Sequence, residues 1–160
     1  MREGLASSHA LIAQDQGDTS MPLITVEYTS QRHTPKADIA AAVTKLSADI
    51  LHKEPNVTAV IVQSVDAADW FAGGRSLAHQ NLASVWVDIH ISDGTNSKDE
   101  KADFIAATFK RMDELLGPLH NESYIYVHDA RADAYGFGGL TQERRYIAGK
   151  LAAAPRSAAA

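Results

Sequence analysis

The residue types that do chemistry are unevenly supplied in this 160-residue chain, which holds seven histidines and no cysteine. Without thiols there are no disulfides, thiolate-bound metals or thiol nucleophiles. The histidines are scattered from His9 to His128 with no HExxH-type spacing, and Asp88 with His90 reads as one polar face of a strand. No metal site is expected from that pattern. The pairs Gly73-Gly74 and Gly138-Gly139 belong to neither GxGxxG nor GxxxxGK[ST], so they are expected to make hairpin turns rather than to cradle phosphate. A formal net charge of -5 argues against nucleic acid or an anionic membrane as partner. No apolar run reaches the ~18 residues of a membrane span, and Ser7, Ser8 and His9 interrupt the N-terminal apolar residues that a signal peptide would need unbroken. A cytoplasmic protein is the expectation.

The elements that must position any site come from an internal repeat. Pro55 and Pro118 are 63 residues apart, as are the pairs Asp66-Ala67 and Asp129-Ala130. Each copy then reaches an aspartate, an aromatic and a double glycine: Asp69, Trp70 and Gly73-Gly74, then Asp133, Tyr135 and Gly138-Gly139. Repetition of this kind decides architecture early. Ile24, Val26 and Tyr28 alternate along a first strand, and Val87, Ile89 and Ile91 hold the same phase one repeat later, as half-buried strands do. Thr34-Pro35 reads as a helix start, with threonine as cap, ahead of a stripe at Ile39, Val43, Leu46 and Ile50. The second helix follows Ser97 and Glu100, spaced as a capping box, with its stripe at Ile105, Phe109, Met112 and Leu116. Closing strands are expected over 58–65 and 123–128, and the unbroken apolar run Val60-Ile61-Val62 predicts a central strand.

The fold class expected is therefore α+β: two tandem right-handed βαβ units forming a four-stranded sheet with two helices on one face. Residues 21–147 form this domain, as repeats 21–82 and 83–147. Residues 1–20 read as a disordered or mis-assigned N-terminal extension, and 148–160 as an alanine-rich flexible tail. The sheet face away from the helices is expected to be apolar and to be buried by oligomerisation, three copies around an axis being the arrangement predicted.

A βαβ unit that opens Met21-Pro22-Leu23-Ile24-Thr25-Val26, with Arg32 ten residues after the proline and Trp70 ahead of Gly73-Gly74, resembles the 4-oxalocrotonate tautomerase family. The tandem repeat is similar to its fused, double-length branch, with a tautomerase/MIF-like fold. The resemblance implies a cofactor-independent tautomerase or isomerase that moves a proton in a small enol or 2-keto acid, with Pro22 as catalytic acid/base. An α-amino group titrates near ~7.7–8.0, and an apolar pocket or neighbouring cations lower that further, so a free prolyl amine can act as base near neutral pH. By the same resemblance Arg32 binds the substrate carboxylate and Trp70 walls the pocket. The partners implied are a small carboxylic acid and further copies of the chain; no cofactor is implied.

Departures from the family pattern matter too. Its second carboxylate-binding arginine is replaced by Ala59, with Glu122 at the repeat equivalent, so Arg75 and Arg131 are the candidates to substitute. Val85 and Thr95 stand in the second unit where Pro22 and Arg32 stand in the first, which leaves one unit competent by this mechanism. A hydratase or dehalogenase of small unsaturated acids, or a non-catalytic oligomer of the same fold, are the alternatives. Behind Met21, Pro22 is an ordinary amide with no basic nitrogen. The codons of Gly17-Asp18 can carry a purine run like a bacterial ribosome-binding site, so a native start at Met21, with that methionine removed, is expected.

Overall fold

The computed structural model describes residues 21–154; the expected N-terminal extension lies outside them. The first unit consists of β1 (Leu23–Thr29), α1 (Lys36–Leu51), β2 (Ala59–Ser64), the short strands β3 (Phe71–Ala72) and β4 (Arg75–Ser76), and the single turn α2 (Leu77–Gln80). The second repeats it as β5 (Ser84–Ser92), α3 (Lys98–Leu116), β6 (Tyr124–Ala130), β7 (Gly136–Phe137), β8 (Leu140–Thr141) and α4 (Gln142–Ala153). The main sheet runs β2-β1-β5-β6. Each unit pairs its own two strands in parallel, and the units join through antiparallel β1 and β5, with Leu23 opposite His90 and Thr29 opposite Ser84.

One face of this sheet carries the core. Ile24, Val26 and Tyr28 from β1 and Val85, Val87, Ile89 and Ile91 from β5 are buried in one cluster with α1 and α3, the period-2 pattern expected of strands covered on one side. In each helix the buried row advances by four: Ile39, Val43, Ser47 and Leu51 in α1, and Phe104, Thr108, Met112 and Leu116 in α3. The expected stripe on α3 is thus displaced by a residue in its first half, where Phe104 is buried and Ile105 is 39% exposed. A step of four residues turns ~400° at 3.6 residues per turn, so a 4-4-4 row slants around the helix while the 4-3-4 stripe stays straighter. Leu46, Ile50 and Phe109 pack beside it, partly buried.

The caps separate a met expectation from a missed one. Ser97 Oγ accepts from the Glu100 amide while the Glu100 carboxylate accepts from the Ser97 amide, a complete capping box. At α1, by contrast, Pro35 occupies the cap position without a side-chain bond. Thr34 Oγ1 donates instead to the Leu115 carbonyl at 2.6 Å, tying the loop after β1 to the end of α3. Both glycine pairs make two-residue hairpin turns with positive φ, +60° and +75° at Gly73-Gly74 and +56° and +78° at Gly138-Gly139, the geometry that favours glycine.

Three further expectations are corrected. The Val60-Ile61-Val62 strand is at the sheet edge, because β2 pairs only with β1, and Ile61 is 47% exposed. The uncovered sheet face is not uniformly apolar. Alternation places Thr25, Glu27, Trp86, Asp88, His90, Tyr124, Tyr126 and His128 there beside Leu23 and Ile61, a mixed polar and aromatic surface. Finally, the chain stays helical through Ala153, so residues 148–153 are not the flexible tail expected; α4 exposes Tyr146, Ile147 and Leu151. No helix among the described residues is long and apolar enough to cross a membrane.

Candidate active site

The antiparallel junction decides which loops meet. β1 runs seven residues, about 23 Å at ~3.3 Å per residue, so its two ends belong to separate regions. Pro22 precedes one end. Arg32 follows the other, where the first unit's closing loop also lies, since Val65 donates its amide to the Tyr28 carbonyl at 2.8 Å. Because β5 is antiparallel to β1 and β6 parallel to β5, the second unit's closing loop returns to the Pro22 end.

Tyr135 marks that return. Its hydroxyl accepts from the Leu23 amide at 3.0 Å and donates to the Met21 carbonyl at 3.2 Å, so one phenol brackets the buried Pro22 from both sides. Partial burial raises the Tyr135 pKa, against a smaller lowering by the Leu23 amide, and the group remains a proton donor at neutral pH. Its ring lies 6.2 Å from that of His90, which stands opposite Leu23. Tyr135 is the structural equivalent of Trp70. Gln142 donates to the Tyr135 carbonyl at 2.9 Å as Leu77 does to the Trp70 carbonyl at 2.8 Å, and the next residues of each helix bond Ala132 and Ala67 alike. In one chain, then, Pro22 receives the second unit's aromatic, and the half-buried Trp70 sits at the end of the sheet where β5 begins.

Arg32 is exposed, and its Nη1 donates to the Glu114 carbonyl at 2.6 Å near the end of α3, where unpaired carbonyls and the helix dipole favour a cation. The loop sits close because residue 117 is glycine: a Cβ there would stand 3.0 Å from Gln31 Cβ, and φ is +96°. An open cleft of about 440 Å³ adjoins Arg32, lined also by Tyr28, His33, Ser64 and Val65. Exposed Arg75 lies in β4 at this same end. Arg131, in the loop before Tyr135, is forked onto Asp133 by two bonds of 3.0 and 2.7 Å. That pairing raises the arginine pKa and lowers the aspartate's.

One chain does not bring Pro22 together with Arg32, Trp70 and Arg75; it brings Pro22 to Tyr135 and His90. Arg145 is a further cation that sequence reasoning did not single out. It lies 3.7 Å over the Phe137 ring and donates to the Phe137 carbonyl at 2.8 Å, inside the second closing loop. The 63-residue repeat held the signal for Tyr135, but only the antiparallel pairing of β1 with β5 shows that the repeats exchange their ends.

Residues 22–80 match the family profile described as tautomerase enzyme, which begins on Pro22 itself. The first unit is thus similar to the tautomerase family along nearly its whole length. The body as a whole takes the fused, double-length tautomerase fold: a wild-type fused 4-OT, described as a symmetric trimer, superposes with a TM-score of 0.65 at 22% identity, over 76% of this chain and 96% of that one. The macrophage migration inhibitory factor-like protein of Entamoeba histolytica superposes with a TM-score of 0.61 at 16% identity, over 75% and 97%. A structure described as Pt0534 inactivated by 2-oxo-3-pentynoate gives 0.64 at 14%, over 76% and 98%. No curated protein matches the chain in sequence.

Proposed function

We propose that this protein is a cofactor-independent tautomerase of small enol or 2-keto acids, with Pro22 as the acid/base once it begins the chain. The observation that carries the reading is the Tyr135 hydroxyl held against the peptide groups on both sides of Pro22. Removing residues up to Met21 frees the prolyl nitrogen, and it also removes the carbonyl to which Tyr135 donates. The phenol then keeps its anchor, the Leu23 amide, and has its proton available for a substrate oxygen. In ketonisation the neutral secondary amine takes the enol hydroxyl proton, Tyr135 hydrogen-bonds to the oxygen on which charge develops, and the prolyl ammonium delivers its proton to the neighbouring carbon. Burial of Pro22 disfavours the charged amine and supports a base functioning near neutral pH.

A carboxylate anchor completes the site. Arg32 and Trp70 lie at the other end of the sheet in their own chain, so a second copy supplies them, and the fused 4-OT trimer is an assembly that supports such an arrangement here. Arg131 anchors the carboxylate only by giving up part of its fork to Asp133. Arg75 lies at the Arg32 end and assists from that second copy.

Full-length protein and a form beginning at Pro22 distinguish this reading directly. Ultraviolet absorbance of phenylenolpyruvate or a 2-hydroxydienoate should show rapid ketonisation by the shorter form and almost none by the longer. Equal rates from the two forms refute proline catalysis.

A further inference from the structure

The parallel pairing of β5 and β6 sets His128 beside His90, and Asp88 two residues back on the same open face. Asp88 Oδ1 is 3.0 Å from His90 Nε2 and 3.1 Å from His128 Nε2. Yet neither contact is a hydrogen bond: Asp88 Oδ1 and His128 Nε2 are shielded from solvent and have no hydrogen-bond partner among the described residues. Three ligand atoms thus converge, all within 4.8 Å of one another, and two of them are buried without the hydrogen-bond partner that such atoms ordinarily have.

We propose that Asp88, His90 and His128 bind one first-row divalent transition-metal ion. With each ligand atom ~2.1 Å from an ion, the 3.0 and 3.1 Å separations of Asp88 Oδ1 from the two imidazole nitrogens put the carboxylate about 90–95° from each imidazole there, whereas a tetrahedral site needs about 3.4 Å between ligands. Two imidazoles with one carboxylate at a near-right angle to each suit Mn²⁺, Fe²⁺, Co²⁺ or Ni²⁺ rather than the all-oxygen preference of Ca²⁺ and Mg²⁺. The His90 and His128 rings are stacked at 4.5 Å with an interplanar angle of 3°. Rotation about χ2, a soft torsion in histidine, leans the two lone pairs onto a common point. Tyr126 against His128 and Tyr135 beyond His90 flank the pair with aromatic rings. Sequence spacing hides the site because its histidines come from different strands.

The test uses the full chain, stripped with a chelator and dialysed, then titrated with NiCl₂ or CoCl₂ alone and followed by calorimetry and Co²⁺ absorption. Saturable binding of one ion per chain is expected, weakened at least tenfold by Asp88→Asn or His128→Gln and unchanged by His79→Ala in α2. Absence of saturable binding to the unsubstituted chain overturns the proposal, as does undiminished affinity in the His90→Gln/His128→Gln double variant. Because the first of these needs no variant, a misfolded mutant does not rescue the idea. The outcome is independent of Pro22 chemistry, which the absorbance assay reads in the absence of added metal.

Discussion

Replacing Tyr135 by phenylalanine keeps the ring beside His90 and deletes only the hydroxyl, so two consequences can be worked out separately. The first is structural. The Leu23 amide loses its 3.0 Å partner in a partly buried setting, which at ~1–3 kcal/mol for an unsatisfied buried donor, taken at the low end for partial burial, costs about 1 kcal/mol. For a domain of this size that lowers Tm by about 3–5 °C. The second is catalytic and appears only in the form that begins at Pro22. A hydrogen bond to a charged oxygen contributes ~1.5–3 kcal/mol, so its loss should lower kcat/KM by roughly 10–150-fold at 1.36 kcal/mol per decade, with the larger share in kcat because the charge develops in the transition state. Differential scanning and ketonisation of phenylenolpyruvate measure the two effects on one sample. A fall in Tm with kcat/KM within twofold of the parent would leave Tyr135 as a strut and refute its role as donor.

Arg32→Ala in the form beginning at Pro22 should lower kcat/KM by one to three decades, while stability falls by less than about 1 kcal/mol, since the bond to the Glu114 carbonyl is exposed. If Arg32 serves the Pro22 of another copy, this variant and Pro22→Ala, each defective alone, should recover activity when unfolded and refolded together; no recovery in the mixed oligomer contradicts the shared site. Ser97→Ala should cost about 1 kcal/mol of thermal stability by opening the capping box. Glu100, whose pKa is lowered by the Ser97 amide first and by Asn96 and His52 further, contributes stability that is present above its unfolded pKa and is lost as pH falls through the depressed folded value. Acid unfolding of Glu100→Gln should therefore be less steep at and below ~pH 4.5, and an unchanged acid limb would contradict the assignment.

Local patterns made the two-unit body legible. Alternation at Ile24, Val26 and Tyr28, the Ser97 and Glu100 box and the double glycines each act over a few residues, so strands, helix start and hairpins could be read from spacing alone. The 63-residue repeat added the second unit, and Pro22, Arg32 and Trp70 pointed to the tautomerase resemblance. The slanted buried row of α3 was not legible, because packing against α1 and the sheet, not the periodicity of one helix, selects Phe104 over Ile105.

Long-range pairing decided the rest. The sequence by itself determined the local elements and that they come in two similar units, since those properties belong to residue types and local order. It did not determine which unit's aromatic lies beside Pro22, because the choice depends on how the two units join. The antiparallel β1 and β5 pairing reverses the second unit, so Tyr135 reaches Pro22 while Trp70 and Arg32 stay at the opposite end of a seven-residue strand. The same pairing of separate strands gathers Asp88, His90 and His128, whose histidines are far apart in sequence and adjacent only after hydrogen bonds between strands fix their register.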